Sequence, residues 1–264
     1  MNKQRSENKI LGGGEPNLRS KFGAKEFYFY FFVYLLIIFV LLPHTASALT
    51  NDVDLTWDAN SQAPASYKGK LLPTQNSTVN ISALPFVYWP GTKTLIANNN
   101  LIFNWYIDDK FSAGNSGADK SNLILVVNNY AGGSKLIRLE IKTSDGAVSI
   151  SKIIEIPIAR PQVFIHLADP ETGLPFGPAL KNFTIGPIDL NFTAQNYFFN
   201  VTPNNLRWRW FIGGKEVESD TEKPWLASLN LTNIDLLSTQ IQTIVKNPSN
   251  ELETAGAIIN LEIK

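Results

Sequence analysis

The chain has 264 residues with 23 basic and 23 acidic side chains, so its formal net charge is zero. Residues 1–48 hold six of the basic and three of the acidic residues, which leaves residues 49–264 with a net charge of −3. This near-neutral balance argues against a nucleic-acid-binding protein, because such proteins carry a strongly basic surface. The sequence has no cysteine, so disulfide bonds, thiol catalysis and cysteine-based metal sites are excluded.

The N-terminal segment has the parts of an export signal. Residues 1–26 form a basic region expected to stay in the cytoplasm, and an unbroken apolar and aromatic run follows at residues 27–42. Ala46-Ser47-Ala48 matches the small-x-small pattern of a signal-peptide cleavage site. Residues 27–48 are therefore predicted to be a signal-peptide core cleaved after Ala48, or an uncleaved signal-anchor helix. Either alternative exports the rest of the chain, which is then secreted or anchored in the membrane.

Residues 49–158 contain short stretches in which apolar and polar side chains alternate. In residues 137–142 the alternation is strict, and a period of two places such apolar residues on one face of a β-strand. Trp105 and Leu139 are accordingly expected in a core. We also predict a bulge or a change of sheet near Lys152, where the apolar pattern is interrupted.

The same pattern recurs about 105 positions later. Residues 101–110 (LIFNWYIDDK) match residues 206–215 (LRWRWFIGGK), so that Trp210 corresponds to Trp105. Solenoid repeats have periods of about 20–50 residues, and a match at this distance therefore indicates a duplicated domain. We expect Trp210, like Trp105, to lie in a core.

Two motifs, the first present in both copies and the second in copy two, resemble a known group of modules. The inward tryptophan followed by Tyr/Phe-Ile-x-x-Lys, and the Ile-Val-Lys-Asn-Pro stretch of residues 244–248, are similar to bacterial immunoglobulin-like and PKD-like surface modules. Residues 161–175 and 191–199 are similar to uncharacterised exported proteins of candidate-phylum bacteria. The resemblance implies an all-β fold, with two tandem immunoglobulin-like β-sandwich domains after an N-terminal hydrophobic helix. It also implies a role as a surface spacer, adhesion unit or envelope scaffold.

The predicted organisation has five parts. A cytoplasmic region (1–26) and the signal segment (27–48) precede the first immunoglobulin-like domain (49–158), a linker (159–161) and the second immunoglobulin-like domain (162–264). Proline in the linker restricts the backbone of its neighbour, so a stiff connection is expected.

The acidic residues are the candidates for a metal site. Asp108, Asp109 and Asp119 flank a Gly/Ser/Asn-rich stretch, and calcium binds the carboxylate and carbonyl oxygens of such loops. Their spacing matches no known calcium motif, which makes a polar hairpin loop the simpler interpretation. Copy two has Gly213-Gly214 in place of the first two aspartates. Any calcium site would therefore belong to copy one, and no other metal or cofactor is predicted.

Aromatic residues and one histidine are the remaining candidates. Tyr88 and Trp89, and also residues 197–199, could form a platform for a sugar or a protein if they are exposed, although aromatic residues of a sandwich usually lie in the core. His166 is expected to face solvent, since it alternates with the inward-facing Ile165 on a strand.

These features favour a structural or adhesive protein over an enzyme. We expect no catalytic residues, no nucleic-acid partner, and a protein or glycan partner at the cell surface. The membrane is contacted through residues 27–48 if the signal is uncleaved. One alternative is a carbohydrate-binding or calcium-assisted ligand-binding module. A hydrolase is the other, and it would need paired carboxylates or a Ser-His pair in one cleft.

Overall fold

The computed structural model describes residues 28–29, 31–35, 50–186, 188–230 and 238–263. The chain divides into two compact units, Met1–Ala48 and Leu49–Lys264. In the first unit, the described residues are helical and exposed to solvent. No helix within the described ranges is both long enough and apolar enough to cross a membrane. Most of the predicted signal segment, including the site after Ala48, lies outside the described residues.

The second unit consists of two consecutive β-sandwiches, called module 1 and module 2 below. The strands of module 1 are β1 (Asp52–Ala59), β2 (Thr78–Phe86), β3 (Leu101–Ile107), β4 (Lys110–Phe111), β5 (Gly117–Ala118), β6 (Asn122–Val126), β7 (Ser134–Thr143) and β8 (Ser149–Pro157). Those of module 2 are β9 (Gln162–Ala168), β10 (Pro175–Phe176), β11 (Asn182–Ile185), β12 (Leu190–Tyr197), β13 (Arg207–Ile212), β14 (Lys215–Val217), β15 (Leu226–Leu229), β16 (Ser238–Asn247) and β17 (Asn250–Ile263). Single-turn 3₁₀ helices lie at Asn98–Asn100, Ala113–Asn115 and Pro203–Asn205.

Each module is an immunoglobulin-like sandwich of two sheets around its own core. In module 1 the sheet β1-β2-β6 packs on the sheet β4-β3-β7-β8, and β5 pairs with the free side of β3. In module 2 the sheet β10-β9-β12-β15 packs on β11-β17-β16-β13-β14. The predicted all-β fold of tandem immunoglobulin-like sandwiches is confirmed.

The two repeated tryptophans occupy the same position in each module. Trp105 and Trp210 are completely buried, as is Leu139. A buried indole N–H requires an acceptor. Trp105 Nε1 donates to the carbonyl of Lys120 over 2.8 Å, and Trp210 Nε1 donates to the carbonyl of Pro224 over 3.0 Å. The duplication therefore preserves both the packing and the polar contact of this side chain.

The prediction of a bulge or a change of sheet near Lys152 is wrong. Strand β8 pairs with β7 in one continuous register from Ser149 to Pro157. Lys152 occupies an inward position between Ile150 and Ile154, and its ammonium contacts Asp52 of β1 at 3.2 Å, where the side chain is 40% exposed. A long polar side chain at the open seam between the sheets interrupts the apolar pattern without breaking the strand.

The modules differ at one sheet edge. In module 2, β11 runs parallel to β17 and covers its outer edge, where Asn260 donates its N–H to the carbonyl of Lys181 over 3.0 Å. In module 1, β8 is the last strand of its sheet as far as the described residues extend. Pro157 lies where module 2 has Glu262. Because Ile158 donates its N–H toward β7, the missing donor of Pro157 faces the open edge.

Candidate functional site

His166 lies in β9 and is buried, so the prediction that it faces solvent is wrong. It does alternate with the inward Ile165, but the segment after β10 folds over this face of the sheet. Leu180 donates its N–H to the Ile165 carbonyl over 2.8 Å, and His166 Nδ1 lies 3.2 Å from the carbonyl oxygen of Gly177. His166 Nε2 has no partner among the described residues. A loop from elsewhere in the module therefore buries a residue that alternation places on the outer face.

Asp108 and Asp109 form the turn between β3 and β4. Their φ angles of 48° and 61° are left-handed, as a two-residue hairpin turn of this hand requires. Gly213 and Gly214 have φ angles of 54° and 79° at the matching turn of module 2. The aspartates of module 1 therefore adopt a conformation for which module 2 uses glycine.

The Asp108 carboxylate holds a buried lysine. Lys135 Nζ lies 2.6 Å from Asp108 Oδ2 and also donates to the side-chain oxygens of Asn128 and Asn129 over 3.0 and 2.9 Å. Its side chain is 8% exposed. Burial raises the pKa of Asp108, but the hydrogen bonds from Lys135 and from the Leu136 N–H outweigh it and the pKa is lowered. This carboxylate therefore acts as the counter-ion of Lys135.

The other two acidic candidates lie apart from that contact. Asp109 is 75% exposed, with a carboxylate oxygen 3.9 Å from Arg138 Nε. Asp119 is exposed in a separate turn, where its N–H donates to the carbonyl of Leu101 over 3.2 Å. Across the described ranges, no three His, Cys, Asp or Glu side chains are grouped so that they could hold a metal ion.

Tyr88 and Trp89 lie on a tight loop after β2. Tyr88 is half-buried, and its N–H donates to Asn51 Oδ1 over 2.8 Å. Trp89 is 39% exposed, and its backbone pairs with Thr94 across the loop. The two rings therefore differ in exposure, and Trp89 is the more accessible of the pair.

A row of outward side chains on module 1 was missed by the sequence reasoning. The Arg138 guanidinium lies 3.7 Å above the centre of the Tyr106 ring, and Phe111 packs beside that ring at 5.5 Å. Phe111 is 54% exposed. The outward alternation of Tyr106 with Trp105 was the available signal, but pairing with Arg138 depends on the register between β3 and β7.

Residues 60–77, which we call the junction segment, make polar contacts between the modules. This stretch joins β1 to β2, yet it lies against module 2. Gln62 donates its N–H to the carbonyl of Phe199 over 2.6 Å, and Phe198 donates its N–H to the Gln62 carbonyl over 2.7 Å. Ala159 donates its N–H to the Pro73 carbonyl over 2.8 Å. The modules are therefore joined by more than the short linker.

A buried carboxylate lies at the centre of this contact. Glu253 of β17 is 1% exposed. It accepts hydrogen bonds from the Thr74 hydroxyl of the junction segment, from Asn247 Nδ2 at 2.8 Å and from the Asn200 N–H at 3.2 Å. Ser77 Oγ lies 2.9 Å from Thr74 Oγ1 and extends this network. A buried carboxylate is costly unless such donors surround it, and one of the three comes from module 1.

Aromatic side chains pack beside the polar network. Tyr67 of the junction segment meets Tyr197 and Phe198 edge to face, with ring centres 5.8 and 5.7 Å apart. Phe199 is completely buried. Residues 197–199 are thus used for packing at the contact between the modules.

The junction segment also forms one wall of a cleft of about 200 Å³, which we call the junction cleft. Its lining residues are Gln62, Ala63, Pro64, Gly173, Leu174, Pro175, Thr193, Ala194, Gln195, Asn196, Pro203 and Trp225. Three come from module 1 and the rest from module 2. None of them carries an ionisable side chain.

Comparisons with known proteins give limited guidance. No family model matches the sequence, and no curated protein matches it. The fibronectin(III)-like modules of Clostridium thermocellum CbhA are 15% identical, with 80% of this chain and 94% of that chain covered and a TM-score of 0.28. The Bacteroides ovatus mixed-linkage glucan utilisation locus protein SGBP-B, in complex with a mixed-linkage heptasaccharide, is 14% identical over 77% of this chain, with a TM-score of 0.23.

The N-terminal four Ig domains of Dscam1 isoform 8.4 are 16% identical over 79% of this chain, with a TM-score of 0.28. This chain covers 47% of that structure and 47% of the SGBP-B structure, about half of each. TM-scores this low support no inference about function. The fold assignment rests instead on the strand order and pairing given above.

Proposed function

We propose that this chain is an exported, non-catalytic structural or adhesive protein that presents two immunoglobulin-like modules in a fixed relative arrangement. The observation that carries the proposal is the burial of Glu253 against donors from both modules. If the modules separated, the Thr74 donor would be lost and the carboxylate would have to reach water or remain under-bonded. A defined arrangement between modules is useful to a protein whose surfaces must meet a partner in register.

The proposed location depends on the sequence of the N-terminal segment. Basic residues precede the apolar run of residues 27–42, and this asymmetry orients the following chain away from the cytoplasm. Protease added to intact cells is expected to degrade the modules, and a cytoplasmic control protein should survive. Protection of the modules until the cells are lysed would contradict the export proposal.

The fixed arrangement can be tested by NMR relaxation of the full chain. Both modules of the wild type should report the same rotational correlation time. Thr74→Val removes the hydroxyl donor to Glu253 at nearly constant volume, and the correlation times of the modules should then diverge. Thr254→Val is the matched control, since the Thr254 hydroxyl is exposed and bonds only locally to the Glu251 carbonyl at 3.0 Å. Independent tumbling of the wild-type modules would refute the proposal.

Carbohydrate binding is the second candidate, and the exposed ring of Trp89 favours it. A flat aromatic face that water can reach is able to stack on a sugar ring. Soluble glycans should then quench tryptophan fluorescence in the wild type and lose part of this effect in Trp89→Ala. An unchanged response in the variant would remove Trp89 from consideration.

A further inference from the structure

Strand β6 forms an open edge of module 1, at the end of the sheet β1-β2-β6. Val127 donates its N–H to the Ser77 carbonyl over 2.9 Å, so the main chain of Val127 faces β2. Main-chain groups alternate sides along an antiparallel strand, and those of three residues of β6 therefore face away from β2. The three are Asn122, Ile124 and Val126. Within the described ranges, no segment bonds to these outward N–H and C=O groups.

The side chains of this edge are apolar and uncharged. Ile124 is 64% exposed and Val126 is 60% exposed, whereas Leu123 and Leu125 of the same strand lie in the core. Residues 121–129 include no ionisable side chain and no proline, and β6 pairs with β2 in one continuous register. Natural edge strands are usually protected against other chains by a charge, a proline or a bulge. Because β6 has none of these, its exposed apolar residues point to an occupant.

The second module shows that the fold does not require an apolar residue at this edge. In module 1, Asn80 of β2 lies opposite Ile124 of the end strand. In module 2, Asn191 of β12 lies opposite Ser228 of the end strand β15, and the Ser228 hydroxyl donates to Asn191 Oδ1 over 2.6 Å. An isoleucine cannot donate this hydrogen bond, and the exposed side chain of Ile124 adds nothing to the core. It is better explained by a contact outside the chain.

The charge pattern favours a second copy of this chain as the occupant. The other end strand of the sheet, β1, has exposed acidic residues, so two copies of β1 would bring like charges together. They are Asp52, Asp54 and Asp58. Two copies of β6 can meet with Ile124 on a two-fold axis, which places Asn122 opposite Val126 of the second copy. Lys120 then lies opposite Asn128 of the second copy, and no charge faces a like charge.

Antiparallel self-pairing also satisfies every free main-chain group of the edge. Ile124 exchanges both main-chain hydrogen bonds with Ile124 of the second copy, and Asn122 exchanges both with Val126 of the second copy. The exposed side chains of the two Ile124 residues become direct cross-strand neighbours, and such apolar pairs stabilise a sheet. The edge is therefore complementary to itself in both hydrogen bonding and side-chain character.

We propose that β6 pairs antiparallel with β6 of a second copy, so that the two three-stranded sheets join into one across a two-fold axis. The N-terminal ends of the two chains then point in opposite directions, an arrangement that suits adhesion between facing surfaces. The contact is small, and a dissociation constant of roughly 100 μM is expected. The inference rests on the proposed function and identifies the partner as another copy of this chain.

Cysteine crosslinking of the full chain tests the contact directly, because the sequence has no cysteine. Facing residues of paired strands lie about 5 Å apart, a gap that a bismaleimide of about 8 Å can bridge. At about 100 μM protein, Ile124→Cys should be crosslinked into a covalent dimer. Asn80→Cys is the matched control, since Asn80 is exposed one strand further in, where the two copies would be about 14 Å apart. Crosslinking of the control reports association through another part of the chain, such as the apolar residues 27–42.

A mixture of two variants tests the register of the paired strands. Asn122→Cys and Val126→Cys face each other across the axis, whereas each lies about 14 Å from the same position of the second copy. The mixture should therefore give at least about fivefold more crosslinked dimer than either variant alone.

Removal of the apolar side chain tests its contribution. Ile124→Ser introduces the residue that module 2 has at this edge, and in the mixed experiment it should weaken the dimer by about tenfold. Ile153→Ser is the matched control, because Ile153 of β8 is 57% exposed but lies outside β6. The control should leave crosslinking unchanged.

Three results would overturn the inference. They are crosslinking of Ile124→Cys no greater than that of Asn80→Cys, equal crosslinking of the mixed and separate variants, and crosslinking that Ile124→Ser leaves unchanged. The first result would leave the edge to a strand of another protein or to solvent. The relaxation experiment on Thr74→Val reports on the contact between the modules of one chain and does not involve β6. Failure of the dimer can therefore be distinguished from failure of the proposed fixed arrangement.

Discussion

Replacing Asp108 with glycine sets two opposing effects against each other in the β3–β4 hairpin. The φ of Asp108 is 48°, and the left-handed region costs an L-residue about 1–2 kcal/mol, somewhat less for aspartate. Gly213 occupies the matching position of module 2 with a φ of 54°. Glycine also loses more backbone freedom on folding, by about 0.5–1 kcal/mol. On backbone conformation alone, the substitution should change stability by less than about 1 kcal/mol.

The side-chain contact acts in the other direction and is larger. Lys135 Nζ lies 2.6 Å from Asp108 Oδ2, and the two side chains are 8% and 42% exposed. A hydrogen bond between charged groups contributes about 1.5–3 kcal/mol, and removing one partner of a buried ion pair costs more. Water near the exposed side of Asp108 and the hydrogen bonds that Lys135 still donates to the side-chain oxygens of Asn128 and Asn129 reduce the loss. We therefore expect Asp108→Gly to destabilise the protein by about 2 kcal/mol.

Urea unfolding of the full chain, followed by tryptophan fluorescence, measures this difference as a lower midpoint at unchanged slope. Asp109→Gly is the matched control, because Asp109 has a φ of 61° but is 75% exposed, and it should stay within about 0.5 kcal/mol. Adding Lys135→Met to Asp108→Gly should restore at least about 1 kcal/mol, since no buried charge then remains. An Asp108→Gly variant as stable as the wild type would refute the view that the ion pair outweighs backbone strain.

Three further predictions concern acid stability, the core and the open edge. The folded pKa of Asp108 lies below its ordinary value of 3.8, so the stability contributed by its ionised form is present above pH 4 and lost as pH falls further. The difference in the free energy of unfolding between wild type and Asp108→Gly should therefore shrink in unfolding curves recorded from pH 5 to about pH 2. Trp105→Phe removes the hydrogen bond from the indole to the Lys120 carbonyl and leaves a gap in the core, so the free energy of unfolding measured in urea should fall by about 2–4 kcal/mol. A fall of less than about 1 kcal/mol would contradict the packing argument. Lys152→Ile combined with Pro157→Val gives β8 an apolar, fully hydrogen-bonding edge, and sedimentation velocity should show self-association beyond that of the wild type. An unchanged sedimentation coefficient would mean that these two residues do not protect the edge.

The parts of the fold that depend on local pattern could be predicted from the sequence. Strand alternation and the duplication were sufficient to place Trp105 and Trp210 in two cores and to identify tandem sandwiches. His166 was misplaced because alternation reports which face of a sheet a residue occupies, whereas a segment 11 residues away in sequence covers that face. Burial by a distant loop has no signature in a period of two.

The candidate site was less accessible to sequence reasoning for a related reason. The junction segment has no regular pattern, and Thr74 meets Glu253 across 179 positions of sequence. Nothing in either local sequence marks them as partners.

Divergence between the duplicated modules links the open edge to the junction. Between its first long strand and β12, module 2 forms β11, which covers the edge of β17. Module 1 directs the corresponding stretch, the junction segment, onto its neighbour instead. That use of the segment fixes the contact around Glu253 and forms one wall of the junction cleft, but within the described part of the chain it leaves the edge of β8 uncovered.

An exposed edge strand tends to recruit other chains. A strand protected against such pairing is expected to carry a charged residue at an inward position and a proline at its open edge, and β8 has Lys152 and Pro157 there. Module 2 has alanine and glutamate at the matching positions, 257 and 262. A single change in the path of one loop thus accounts for the contact between the modules and for the composition of the edge that it leaves exposed.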